Sequence, residues 1–245
     1  MQDAIAFFSL RLITGIGLML LVMPRQNVTS AFFRILLLVC LGLGVVATLT
    51  TEGNRIGPIA LCVTAFVGSV LWLLERRPGG TIALLIVTLL ASYETIACGQ
   101  RTSESAEVPL VPLLCSTAAT VGTLGGAMAG MLLGHRYLTA PGMPLAPLLR
   151  LNNALGIAGL ARLAVSGWML GAHWPPPSGG APGTWLALRW LAGVVGPLVV
   201  WIMVKKILRY RNTQSATGVL FVGVILTFLG ELSGDLLVRA VRIPY

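Results

Sequence analysis

Six ionisable residues lie inside otherwise apolar stretches of the sequence, and they are the residues whose types could do chemistry. Three are basic and three are acidic: Arg11, Glu94, Arg162, Arg189, Glu231 and Asp235. A charged side chain inside a bilayer costs on the order of 2.5–3.5 kcal/mol, so such residues usually face protein and often mark function. Acids and bases paired in a polar pocket can act as tuned proton acceptors, which quinol oxidation requires.

The elements that carry these residues must be membrane helices. Of 245 residues, 56% are hydrophobic and only 10% are charged, and the mean hydropathy is +0.88. Soluble domains carry about 25% charged residues, so this composition excludes a water-soluble globular protein. The formal net charge is +9, but the basic residues stand mostly at the ends of apolar runs. They indicate membrane topology there, and we expect no nucleic-acid partner.

Eight segments are apolar for the roughly 20 residues that a helix needs to cross a bilayer. They lie at about 4–23, 30–50, 57–75, 80–98, 110–134, 146–172, 185–208 and 214–238. The first lacks a basic leading region, so we interpret it as a mature helix and not as a cleaved signal. The longest connections, 99–109 and 173–184, leave no room for a soluble domain. The sequence therefore predicts an all-α bundle of eight transmembrane helices that forms a single transmembrane domain over 1–245.

The basic residues are distributed unequally between the two sets of loops. Four lie on the side of the chain termini: Arg55, Arg101, Arg239 and Arg242. Ten follow spans one, three, five and seven: Arg25, Arg34, Arg76, Arg77, Arg136, Arg150, Lys205, Lys206, Arg209 and Arg211. Because basic loops stay in the cytoplasm, both termini are predicted to lie outside. The chain is predicted to be a multi-pass protein of a bacterial inner membrane.

The same topology gives the depth of the six charged residues. At about 1.5 Å per helical residue, all six fall in the outer half of the membrane. Glu231 and Asp235 are four residues apart and share a helix face with Thr227. Two interpretations stay open: a set of structural ion pairs that locks the bundle, or a polar pocket that handles protons or a polar head group.

Small residues recur in span five. Gly122, Gly126, Gly130 and Gly134 are each four residues apart, which places a glycine groove along one helix face. Such a groove allows close approach of another helix, and we predict helix packing there. A flat cofactor or a lipid tail in the groove is the alternative.

Metal and haem cofactors are disfavoured. The two histidines, His135 and His173, lie at opposite ends of neighbouring helices, about 35 Å apart by helix length. They cannot ligate one haem together. The four cysteines are scattered without a CxxC spacing. We expect that this chain alone binds neither haem nor an iron–sulfur cluster nor another metal.

The stretch from Arg189 to Arg239 resembles the last two spans of the dimethyl-sulfoxide reductase membrane-anchor family. The resemblance rests on the small-residue-rich entry SATGVLF and the late pair Gly230 and Glu231, and it covers about a fifth of the chain. Asp235 departs from the basic or neutral residue expected there. Together with polysulfide-reductase-type anchors, the family implies a haem-free subunit of eight or nine spans that binds quinol near the outer face. It implies partners too: an iron–sulfur protein and a large catalytic subunit.

These observations lead to a functional expectation. The chain is expected to be a membrane subunit of a respiratory or electron-transfer complex that anchors redox partners and binds quinone. Arg162, Glu231 and Asp235 are the best candidates for the pocket, with Glu94, Arg11 and Arg189 in support. The alternatives are a structural or assembly subunit that binds only lipid, and a small transporter.

Overall fold

The computed structural model describes residues 2–106, 109–140, 142–175 and 179–243, and within these ranges the regular structure is entirely helical. A short 3-10 turn spans Arg25–Asn27. The α-helices are α1 Gln2–Val22, α2 Ser30–Thr50, α3 Ile56–Leu73, α4 Arg77–Ala106, α5 Leu110–Thr139, α6 Ala146–Ala172, α7 Gly180–Leu188, α8 Gly196–Arg209 and α9 Thr213–Val241. The all-α fold class is thus confirmed.

Eight helices of the described chain are long and apolar enough to cross a membrane, as the sequence predicts. The seventh, Gly180–Arg209, consists of α7 and α8 joined by a π-helical segment, Arg189–Val195. Pro197 explains the widened turn, because its ring lacks an N–H and would clash with the carbonyl of Gly193 in a regular α-helix. The Gly196 N–H instead donates to the carbonyl of Leu191, five residues back.

One predicted connection is largely helical. The sequence predicts a connection between helices at 99–109, but α4 continues through Ala106, two turns beyond the apolar stretch. The Thr102 hydroxyl donates to the Cys98 carbonyl at 2.9 Å within the extension. Arg101 donates to the Glu52 carbonyl at 3.3 Å. The segment is polar because it leaves the apolar layer, and polarity alone does not end a helix.

The helices form two bundles of four spans each. In the first bundle, α1 packs on α2 and α4, and α3 packs on both of these. In the second, α5 packs on α6 and α9, and the seventh span closes the ring between them. Short connections make consecutive helices antiparallel, so each bundle runs up and down.

The two bundles meet mainly along α1 and α5. At their crossing, a Cβ added to Gly15 would overlap the backbone of Val121 and Gly125, and one added to Gly125 would overlap Gly15. Glycine at both positions lets the two backbones touch, as in close-packed membrane helices. The span Ala4–Val22 is 72% buried, the highest value among the eight. The first helix is therefore the central one.

Candidate functional site: a buried charge cluster

Five charged side chains meet inside the second bundle and at its border with the first. They are Arg11 on α1, Arg162 on α6, Arg189 at the start of the π segment, and Glu231 and Asp235 on α9. We call these five residues the charge cluster. Each lies within ten residues of the helix end on the side where Gln2 and Val241 lie. The cluster therefore occupies the half of the protein nearer to those ends.

Glu231 is the centre of the cluster. Its Oε1 accepts hydrogen bonds from Arg162 and Arg189, and its Oε2 accepts one from Arg11 at 2.9 Å. Thr120 on α5 adds a fourth hydrogen bond to Oε1 at 3.3 Å. The Glu231 side chain is 1% exposed. One carboxylate thus joins guanidinium groups from three helices, in the charge-assisted geometry that gives the strongest hydrogen bonds.

Asp235 is the accessible member of the cluster. Its two carboxylate oxygens each accept a hydrogen bond from Arg11 Nη2 at 2.9 Å. The Asp235 side chain is 22% exposed, whereas that of Arg11 is 6% exposed. Arg11 also lies over the ring of Phe7, with 4.2 Å from its Cζ to the ring centroid. This edge of the cluster is therefore the one from which a molecule could reach a carboxylate.

Hydroxyl groups on α5 complete the site, and the sequence analysis missed them. Thr123 accepts from Arg162 Nη1 at 3.0 Å, and Ser116 lies 3.4 Å from Arg189 Nη2. With Thr120 they form a series at i, i+4 and i+7 on one face of the helix. That spacing was the available signal, since hydroxyls at helical spacing in an apolar span commonly face a polar partner.

A close helix crossing positions Arg189. A Cβ on Gly230 would overlap the backbone of Gly193, and one on Gly193 would lie 2.9 Å from the Gly230 Cα. Arg189 Nη1 donates to the Gly230 carbonyl at 3.2 Å as well as to Glu231. The missing side chain of Gly234 leaves room for the same guanidinium group, since a Cβ there would lie 2.8 Å from Nη1. The glycines of α9 thus bring the π segment close enough for Arg189 to reach the carboxylate.

Two buried guanidinium nitrogens of the charge cluster keep a free hydrogen. The Nε atoms of Arg11 and Arg162 have no hydrogen-bond partner within the described part of the chain. Buried donors without partners cost about 1–3 kcal/mol each. Such atoms are candidates for contacts with a bound molecule or with ordered water.

Glu94 lies apart from the cluster, in the first bundle. Its carboxylate packs against Gly57 in the first turn of α3, where a Cβ on Gly57 would overlap Glu94 Oε1. Helix N-termini carry a partial positive charge and favour a nearby carboxylate. The structure therefore brings together five of the six buried charges that the sequence singles out, and Glu94 serves a different contact.

The glycine series of α5 faces two helices in turn. A Cβ on Gly122 would lie 2.7 Å from Ala158 of α6, and one on Gly126 would lie 3.0 Å from Leu155. Further along, Gly134 faces Thr217 of α9 at 2.7 Å, and Gly130 faces Leu220. These positions are occupied by protein side chains, which leaves no open groove there for a flat cofactor.

Within the described ranges, no three His, Cys, Asp or Glu side chains come together to hold a metal ion. The charge cluster itself offers fixed charges, hydrogen-bond donors and one accessible carboxylate. Comparisons with protein families, with curated proteins and with solved structures found no match to this chain.

Proposed function

We propose that the chain is a haem-free, multi-pass subunit of an electron-transfer complex in a bacterial inner membrane. In this proposal it binds quinol at the charge cluster, near the outer face, and anchors redox partners that include an iron–sulfur protein. The observation that carries the proposal is the accessibility of Asp235 in a cluster that is otherwise buried. Intramembrane carboxylates at an accessible edge are typical of proton-handling sites.

The proposal gives different roles to the two acids, and their hydrogen-bond partners support it. Glu231 already accepts four hydrogen bonds, three of them from arginines, so it holds the site together and is a poor proton acceptor. Asp235 has one arginine partner and an exposed edge. A quinol hydroxyl would give its proton to Asp235, and the free Nε of Arg11 would donate to the ring oxygen left behind. The second hydroxyl would release its proton to water at the outer face, and the two electrons would pass to a redox centre of a partner subunit, which leaves the quinone.

A structural role is the second candidate, and the saturation of Glu231 favours it. The only role of a carboxylate that joins three arginines could be to hold four helices in a fixed register. In that case the protein would be an assembly subunit that binds only lipid. The two functions differ in what a conservative change of Asp235 does.

The test is to purify the chain with its native partners and to compare Asp235→Asn with the wild type. Asparagine keeps the shape and can still accept from Arg11, but it cannot take up a proton. The proposal expects extractable quinone, normal assembly and quinol oxidation reduced at least tenfold. Normal assembly without any quinone, in the wild type as in the variant, would establish the structural role instead.

A further inference from the structure

The helices around the charge cluster meet in two different ways. On two sides the backbones touch, at Gly15 with Gly125 between α1 and α5, and at Gly193 with Gly230 between the seventh span and α9. No side-chain motion opens such contacts. Helices α1 and α9, in contrast, are not among the closely packed helix pairs of the described chain.

Side chains alone close the space between α1 and α9. The rings of Phe8 and Phe228 meet edge to face, with centroids 5.1 Å apart and planes at 86°. Arg11 bridges the same helices through Asp235 and Glu231. We call Phe8, Arg11, Phe228 and Asp235 the α1–α9 seam. Because side-chain rotamers change far faster than packed helices move, the contact between Phe8 and Phe228 can open without movement of a helix.

The chemistry of the seam fits a flat ring with polar substituents. Phe8 and Phe228 are both half-buried, so part of each residue is exposed at the surface of the bundle. A ligand ring can replace one partner of an edge-to-face pair at little cost, since aromatic pairs gain about 0.5–1.5 kcal/mol from their geometry. On the same two helices, Arg11 Nε is a donor without a partner in the described chain. Asp235, two turns from Phe228 toward the end of α9, offers the exposed edge of its carboxylate as an acceptor.

We propose that quinol enters the charge cluster sideways from the bilayer through the α1–α9 seam. Its ring displaces the contact between Phe8 and Phe228, and one hydroxyl then donates to Asp235. This inference rests on the proposed function and adds to it the route of entry and two aromatic residues that select for a ring. A water-soluble ligand would not reach the site by this route, because it does not partition into the lipid.

A reversible staple across the seam tests the proposal. Phe8→Cys and Phe228→Cys are combined in a background in which Cys62 and Cys115 are serine, and the two thiols are joined with a short reducible bifunctional thiosulfonate. The purified complex is then titrated with decylubiquinone and with menaquinone-4. The single-cysteine variants, treated in the same way, are the matched controls.

The outcomes separate the route from the function. The proposal expects cross-linking to lower the quinone affinity of the double-cysteine variant at least tenfold and reduction to reverse that loss, whereas the same treatment leaves the affinity of each single-cysteine variant at its untreated value. Unchanged affinity in the stapled protein would overturn the seam and leave the proposed function standing. Absence of binding of either quinone in the unmodified wild-type complex would overturn both.

A second pair of variants covers the case in which the double cysteine variant fails to assemble. Phe228→Ala removes one ring of the seam, whereas Phe221→Ala removes a lipid-facing ring two turns away on the same helix. We expect quinone affinity to fall about 2- to 10-fold for the first change and to stay unchanged for the second. Equal affinities in the two variants would contradict the seam.

Discussion

Replacement of Glu231 by glutamine is the sharpest test of the charge cluster. The change removes the negative charge from the group that joins Arg11, Arg162 and Arg189. It also replaces one carboxylate oxygen by an NH₂ group, so that a donor faces a guanidinium donor. The cluster would then contain three arginines and a single carboxylate, that of Asp235.

The size of the expected loss of stability follows from the burial of Glu231. Removing one partner of a buried ion pair costs about 3–5 kcal/mol, because the other charge is left uncompensated. Glu231 is 1% exposed and has three such partners, so the cost of one pair is a lower bound. A loss of about 3 kcal/mol already lowers the folding equilibrium constant on the order of 100-fold.

The assay is unfolding of the purified protein in mild detergent by titration with a denaturing detergent, together with the amount of protein in the membrane. Glu231→Gln should lower both the concentration of denaturing detergent at which the protein unfolds and the amount of protein in the membrane. Adding Arg162→Met to that variant should restore much of the loss, because it removes the arginine that is left without a countercharge. Glu104→Gln, the same change at an exposed carboxyl group, should have no effect.

The reasoning is refuted if Glu231→Gln unfolds within about 0.5 kcal/mol of the wild type, the range of ordinary surface substitutions. It is refuted equally if Arg162→Met gives no rescue in the double variant. Either result would mean that the arginines find other compensation, and that Glu231 does not hold the cluster together.

Three further predictions concern packing, topology and cofactors. Gly230→Ala should destabilise the protein by about 1–3 kcal/mol through collision with Gly193. Gly218→Ala on the same helix should not destabilise it, because a Cβ at Gly218 meets nothing within 4 Å and alanine favours a helix over glycine. Identical unfolding curves for Gly230→Ala and the wild type would contradict the close crossing. Cysteine labelling from the outside should reach both termini, and a C-terminus protected in intact cells would reverse the orientation. A reduced-minus-oxidised spectrum of the isolated chain should lack a b-type haem band; a stoichiometric band would mean that His135 or His173 ligates haem after all.

Much of the architecture could be predicted from the sequence, because the length of a membrane helix is set by bilayer thickness. The eight apolar stretches correspond to eight helices, although α4 extends further, through Ala106. The π segment was missed, and its signal was Pro197 in the middle of an apolar span. Helical periodicity says which residues share a face, but it does not say which helices are neighbours.

That missing knowledge of neighbours explains how the site differed from expectation. Depth in the membrane alone placed Glu94 with the other buried charges. Glu94 lies on α4, however, which belongs to the first bundle, and the Glu94 carboxylate faces Gly57. Arg11 is also on a helix of the first bundle, yet it reaches Glu231 because α1 is central. The hydroxyl residues of α5, Ser116, Thr120 and Thr123, could by contrast have been predicted from their helical spacing. The sequence reasoning considered only the glycines of that helix.

The ion pair between the first and the last helix has a consequence for synthesis of the chain. Arg11 and Glu231 are 220 residues apart. At about 5–20 residues per second, Arg11 waits roughly 10–40 seconds after its own synthesis before its partner is made. During that interval a bare guanidinium group must be sheltered by the insertion machinery or by water at the membrane surface. The first helix can therefore settle at its final depth only after the helix that carries Glu231 has been made, and the two bundles join after that point.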